Sequence, residues 1–130
     1  MNQDSMEDCL FCKWKNEKEK IVIENDLAFA RPDEFAVSPG HTLFMTKRHV
    51  KDFFETTVEE RIAIFELVDE VKKMIDEKYH PTGYNIGMNC GVSAGQSVMH
   101  IHVHLIPRYD GDVENPRGGV RGVIPKKQNY

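Results

Sequence analysis

VEERIAIFELVDEVKKMIDEKY, residues 58–79, is the stretch on which the fold turns. Val58, Ile62, Phe65, Val68, Val71 and Ile75 recur at three- and four-residue spacing, which predicts an amphipathic helix with that stripe in the core. Thr57 followed by Glu60 reads as a capping box that opens it. His80-Pro81 closes it, because the residue before proline avoids helical geometry. On either side the pattern changes to strand. LAFARPD (27–33) and FAVSPGHTLFMTKRH (35–49) are strand-like runs with Pro-Asp and Ser-Pro-Gly as turn signals; GYNIGMNC (83–90) and SVMHIHVHLIPRY (97–109), joined by GVSAGQ (91–96), predict a hairpin. One long helix between two groups of strands, without alternating strand-helix repeats, predicts an α+β fold in which the helix covers an antiparallel sheet.

The chain has 130 residues, 40% apolar and 29% charged, which suits one folded domain over residues 1–130. A formal net charge of −4 argues against nonspecific nucleic-acid binding, which requires a basic surface. The start MNQDSMEDCL lacks the basic and apolar regions of a secretory signal, and no apolar run reaches membrane-spanning length, so a cytoplasmic location without membrane partners is the expectation. Three cysteines, an odd number, fit a reducing compartment better than a disulfide framework. The charged run Lys13–Lys20 reads as a solvated turn or short helix. Cys90 reads as a small buried residue and His80 as structural.

Six histidines are present, and three of them alternate with apolar residues in MHIHVHLIPR (99–108). In a strand this places His100, His102 and His104 on one face and Ile101, Val103 and Leu105 on the other, against the helix. His100 and His104 would stand roughly 13 Å apart at a rise of about 3.3 Å per residue, so all three cannot bind one metal with bonds of about 2.1 Å. Two could share a metal, or one could join ligands from elsewhere. The other chemistry open to the row is a polar bed for an anionic substrate, with one imidazole attacking phosphorus and its neighbours placing protons or stabilising charge. GVSAGQS (91–97) offers backbone N–H groups and the Gln96 amide as a phosphate cradle beside the same strand. There is no GxxxxGK[ST] motif of a P-loop ATPase. CLFC (9–12) reads as half a zinc site, a redox pair or simply two reduced thiols.

AGQSVMHIHVHLIPR, together with CLFC, DLAFARPDEFAVSPGHTLFMTKRHV, the long helix and YNIGMNCGVSAGQ, resembles the histidine triad (HIT) superfamily, whose signature is His-φ-His-φ-His-φ-φ with φ apolar. The resemblance implies a HIT-like antiparallel sheet with one long helix, extended across a homodimer. It also implies chemistry at the α-phosphate of a purine nucleotide carrying an AMP moiety, with no catalytic metal required. By resemblance His102 is the nucleophile that forms a nucleotidyl-histidine intermediate, His104 contacts phosphate oxygens, and His41 is a further catalytic histidine. Asn89, Gln96 and Ser97 match positions that bind phosphates and leaving group, Asp33 matches the acidic residue on the ribose hydroxyls, and Ile23 and Phe29 line the base pocket. A structural Zn²⁺ would be held by Cys9, Cys12, His49 and His100. The expected reaction is diadenosine polyphosphate hydrolysis. The alternatives are hydrolysis of adenosine phosphoramidates or acyl-adenylates, and a non-catalytic nucleotide-binding zinc protein. The basic tail, residues 113–130, either brings Arg117 or Arg121 to a polyphosphate and so influences substrate choice, or is solvated.

Overall fold

The computed structural model describes residues 8–130. Its elements are α1 (Leu10–Trp14), β1 (Ile23–Glu24), β2 (Ala28–Pro32), β3 (Thr42–Thr46), α2 (Val58–Tyr79), β4 (Gly83–Gly87) and β5 (His102–Arg108), with short 3-10 turns between them. The strands form one antiparallel sheet in the order β1-β2-β3-β5-β4. β4 and β5 are neighbours, as the predicted hairpin requires. The connection is longer than GVSAGQ alone, because β4 ends at Gly87 and β5 begins at His102. His100 and Ile101 precede the strand, and the Ile101 N–H donates to the Val50 carbonyl instead. Of the run 35–49, only Thr42–Thr46 is strand.

Register divides the side chains between two faces, since residues directly opposite each other share a face. Ala28, Ala30, Phe44, Val103 and Leu105 face α2 and pack on its Ala63, Ile64, Leu67, Val68, Val71 and Ile75. On the other face Phe29 stands opposite Met45 and Met45 opposite His102; Arg31 stands opposite Leu43 and Leu43 opposite His104. That second face is covered at one end by α1, through Cys9, Phe11, Cys12 and Trp14.

The helix begins and ends where the sequence places its caps. Thr57 and Glu60 make a reciprocal capping box, and His80 closes the helix in the left-handed region at φ 54°. Replacing Thr57 with Ala is expected to cost about 1 kcal/mol, read as a lowered urea midpoint at unchanged slope. An unchanged midpoint would show that the box contributes nothing. The buried stripe needs correction: Val58 (62% exposed), Ile62 (54%) and Phe65 (40%) point away from the sheet. Two apolar stripes share this helix at compatible spacing, and the one carrying the small Ala63 beside Ile64 and Leu67 lies against the strands.

Lys13–Lys20 is not wholly solvated, because Trp14 is buried and Glu17 bonds Arg31. Cys90 is only partly buried. The tail folds into 3-10 turns over 119–123 and 125–127. There Arg117 and Arg121 both stack on the Tyr130 ring. Gly118 sits at φ 89°, where an added Cβ would collide with the Gln128 carbonyl. No helix among the described residues is long and apolar enough to cross a membrane.

Candidate active site and metal cluster

β5 presents His102 and His104 from the face opposite α2, with ring centroids 5.3 Å apart. Burial of their backbone is ensured by Val103 and Leu105, which are anchored beneath the helix. His41 reaches the same place from the turn before β3. Gly40 makes that turn at φ 92°, in a space walled by Pro107, Ile75 and Tyr79 at 3.1–3.2 Å from where a Cβ would stand. The turn therefore favours glycine both for its left-handed backbone and for its close packing.

The hydrogen bonds assign the proton on each ring. His102 Nδ1–H donates to the His100 carbonyl at 2.9 Å, which leaves a bare lone pair on Nε2. His41 Nδ1 accepts the Val37 N–H at 3.1 Å, so neutral His41 carries its proton on Nε2 and donates it to His104 Nδ1 at 2.9 Å. His104 is thereby left with its proton on Nε2. One ring offers a lone pair and its neighbour an N–H. Burial lowers the pKa of His102 and of His41, the latter against an opposing pull from Asp33. His104 is pushed down to about 4 by burial, then by His102 and His41. All three are neutral at pH 7.

The other expected contacts are placed as follows. Asp33 sits beside His41, its Oδ2 3.4 Å from His41 Nε2, and its Oδ1 accepts the Phe35 N–H. Ser97 is exposed and Asn89 partly buried, both in the long β4–β5 connection. Gln96 is buried and fully engaged: Nε2 donates to the Lys51 and Val98 carbonyls and Oε1 accepts the Gly91 N–H. The amides of Ala94, Gly95 and Gln96 also bond within the loop, so the cradle expected there loses these donors and the Gln96 amide braces the loop. Ile23 and Phe29, expected to share a base pocket, stand on opposite faces. Ile23 pairs with Ala30 and packs on the α2 side, whereas Phe29 is buried on the histidine side. The resemblance that grouped them carries no strand register, and the two residues lie on different strands whose pairing sets their faces.

Three neighbours of the histidine row escaped the sequence reading. Phe11 meets His102 edge-on at 4.8 Å between centroids. Trp14 lies 3.7 Å from the guanidinium of Arg31, which is 2% exposed and bonds Glu17 and Glu34 at 3.0 and 2.9 Å. The only signal was an arginine inside an otherwise apolar strand run.

A second cluster lies between α1, the segment after β3 and the start of β5. Cys9 Sγ and Cys12 Sγ are 3.3 and 3.5 Å from His100 Nδ1, and His49 Nδ1 is 3.3 Å from both Cys12 Sγ and His100 Nδ1. The four donor atoms lie within 4.8 Å of one another. His100 Nε2–H donates to the Thr46 carbonyl at 2.7 Å, so its Nδ1 presents a lone pair to the other three donors. Tetrahedral zinc, with bonds of about 2.1 Å to nitrogen and 2.3 Å to sulfur, sets neighbouring donors roughly 3.4–3.8 Å apart. The cluster fits such an ion. Burial, then hydrogen bonding to Cys9, pushes the Cys12 thiol up to about 12, and burial pushes His100 down to about 4. A thiolate at Cys12 therefore needs a cation beside it, and His100 is already in its ligating neutral form.

The HIT domain profile matches residues 15–111. The structure superimposes with a TM-score of 0.74 on a HIT family protein from Bacillus anthracis, 38% identical over 80% of this chain and 75% of that one. It superimposes at 0.75 on a zinc-bound histidine triad family protein from Mycobacterium smegmatis, 29% identical over 83% and 80% of the two chains. A bis(5'-adenosyl)-triphosphatase of Dictyostelium discoideum is 31% identical over 81% of this chain and 70% of its own length.

Proposed function

The chain belongs to the HIT domain family, and from that premise we propose that it is a nucleotide hydrolase or transferase acting on dinucleoside polyphosphates of the diadenosine type. The observation that carries the reading is the opposed protonation of His102 and His104. A phosphate between the two rings meets a lone pair on one side and a hydrogen-bond donor on the other. His102 Nε2 attacks the α-phosphorus, an N–P bond forms, and the bond to the leaving polyphosphate oxygen breaks. The Nε2–H of His104 bonds a phosphoryl oxygen as charge develops there, beside the buried rings of His41 and His102, where such a bond counts for more than in water. Water then attacks phosphorus, the N–P bond breaks, His102 regains its lone pair, and the proton lost by the water passes to solvent with the released nucleotide. Ser97 and Asn89 are proposed phosphate contacts, and Phe29 with Phe11 and Leu43 an apolar floor for the purine of an AMP moiety.

Cys9, Cys12, His49 and His100 are proposed to hold a structural Zn²⁺, which would pin α1 to the start of β5. A homodimer is supported by the exposed Val58, Ile62 and Phe65 on α2 and by Ile86, 47% exposed on the edge strand β4. Residues 113–130, beyond the matched stretch, are proposed as a tail that influences substrate choice. Gly119 in that tail lies near the Asn85 side chain of β4, on the histidine side of the sheet.

The test is a panel of dinucleoside polyphosphates and adenosine phosphoramidates with a denaturing quench at alkaline pH, where an N–P bond survives, to trap nucleotidylated protein. Trapped enzyme and turnover of the polyphosphates support the reading. Turnover of phosphoramidates alone moves the substrate to a P–N bond. Inactivity across the panel, with nucleotide binding retained, would leave a binding protein.

The titrations give a further expectation. A free imidazole is half protonated near 6.5, whereas burial holds these rings lower. The acid limb of the rate profile is expected below 6.5. Because the unfolded chain binds more protons than the native one between about 4 and 6.5 at His104, stability falls as pH drops through that window. A rate limb at or above 6.5 would contradict the neutral-histidine assignment.

A further inference from the structure

We infer that Asp33 is a positioning residue that works through His41 to hold His104 in the tautomer whose Nε2–H faces the substrate; the inference rests on the nucleotidyl-transfer reading above. The family resemblance puts this carboxylate on ribose; the structure also sets it beside the ring of His41. Asp33 Oδ2 lies 3.4 Å from His41 Nε2, with the two side chains 12% and 3% exposed. Backbone geometry fixes the pair, since the Asp33 N–H donates to the His41 carbonyl at 3.1 Å, and the Phe35 N–H holds Oδ1. The loop between them thus delivers two groups to one ring. The Val37 N–H occupies Nδ1, and the carboxylate approaches Nε2.

Both groups favour the same proton position. An N–H aimed at Nδ1 excludes a proton there, and an anion beside Nε2 stabilises one. His41 then has a single donor to offer, and His104 Nδ1 receives it at 2.9 Å. A neutral imidazole whose Nδ1 accepts must be protonated on Nε2. The chain of assignments runs from the 33–41 loop to the atom that meets the phosphate. Asp33, His41 and His104 also form a group that could hold a metal. Their 2.9 Å nitrogen-nitrogen distance is shorter than the roughly 3.4 Å that tetrahedral zinc imposes on two nitrogens, and fits an N–H···N bond.

The two roles of Asp33 separate experimentally. With the full-length chain labelled with ¹⁵N-histidine, two-bond nitrogen-proton spectra report the tautomer of His41 and His104 directly. The wild type is expected to show His104 protonated on Nε2 alone, and Asp33→Asn to show mixed tautomers at both rings, because an asparagine amide offers an N–H to His41 Nε2. Kinetics are read on a diadenosine polyphosphate and on its 2′,3′-dideoxy counterpart. We expect kcat to fall by about a hundredfold for both substrates alike, with KM nearly unchanged. A loss confined to the ribose-bearing substrate, or an unaltered His104 tautomer, overturns the inference in favour of ribose binding. Should Asp33→Asn fail to fold, Asp33→Ser, which keeps an oxygen for the Phe35 N–H but sets neither anion nor amide beside His41 Nε2, is read by the kinetics alone: an equal loss on both substrates supports the inference, and a loss confined to the ribose-bearing one overturns it. If the wild type turns over neither nucleotide, the function reading fails, while the spectra still decide whether Asp33 sets the tautomer.

Discussion

His102→Ala is expected to reduce turnover of a dinucleoside polyphosphate by at least about four orders of magnitude and to abolish the alkali-stable, acid-labile labelling of the protein that an N–P bond gives, while AMP binding stays measurable. The lone pair on its Nε2 exists because Nδ1–H is committed to the His100 carbonyl, and no other described side chain offers an unprotonated nitrogen at that spot. His104 presents an N–H there, and His41 is one ring further back. His104→Ala is expected to cost less, about a hundredfold to a thousandfold, as the loss of one charge-stabilising donor. The ordering of the two variants is informative. If His104→Ala were the more damaging, or if His102→Ala still formed a nucleotidylated protein, the nucleophile would have been misassigned.

Metal removal is expected to have the second large effect. Stripping the protein with a chelator should lower its thermal midpoint by about 10 °C or more, on the order of several kcal/mol for a chain of this size, and added Zn²⁺ should restore it. Without a cation, the lone pair on His100 Nδ1 faces His49 Nδ1 at 3.3 Å, and Cys12 must stay protonated. Among the described residues α1 would then rest on the sheet through Phe11 and Trp14, the bond of Lys15 to the Lys47 carbonyl and the Arg31–Glu17 ion pair. Cys12→Ser should show the low midpoint and no zinc response. A metal-free protein as stable as the loaded one would remove zinc from the structure's account.

The elements most legible in the sequence were those with local causes. Thr57, Glu60 and His80-Pro81 act within a turn of the helix they delimit, and the alternation around His102 and His104 is a property of one strand. What stayed hidden depends on neighbours distant in the chain. The choice between two apolar stripes on α2 is made by the sheet, and the separation of Ile23 from Phe29 by the register of β1 on β2. The engagement of Gln96 with Lys51 depends on a loop folding back across the segment after β3. Spacing brought the metal quartet no nearer than a Cys-x-x-Cys pair awaiting partners, and its histidines came from family resemblance. The protonation of each ring was beyond any pattern, since it is set by single carbonyls and amides such as those of His100 and Val37.

The bond from His102 Nδ1–H to residue 100 uses a main-chain oxygen, which any amino acid would supply. The imidazole of His100 serves a different neighbour, joined to Cys9, Cys12 and His49 and tethered to Thr46. The quartet is therefore exchangeable as a set. A chain that replaced all four positions with well-packed apolar side chains could keep the carbonyl in place and with it the attacking nitrogen, whereas losing one member alone strands the other three. Such modularity separates what the strand offers a phosphate from what anchors its beginning.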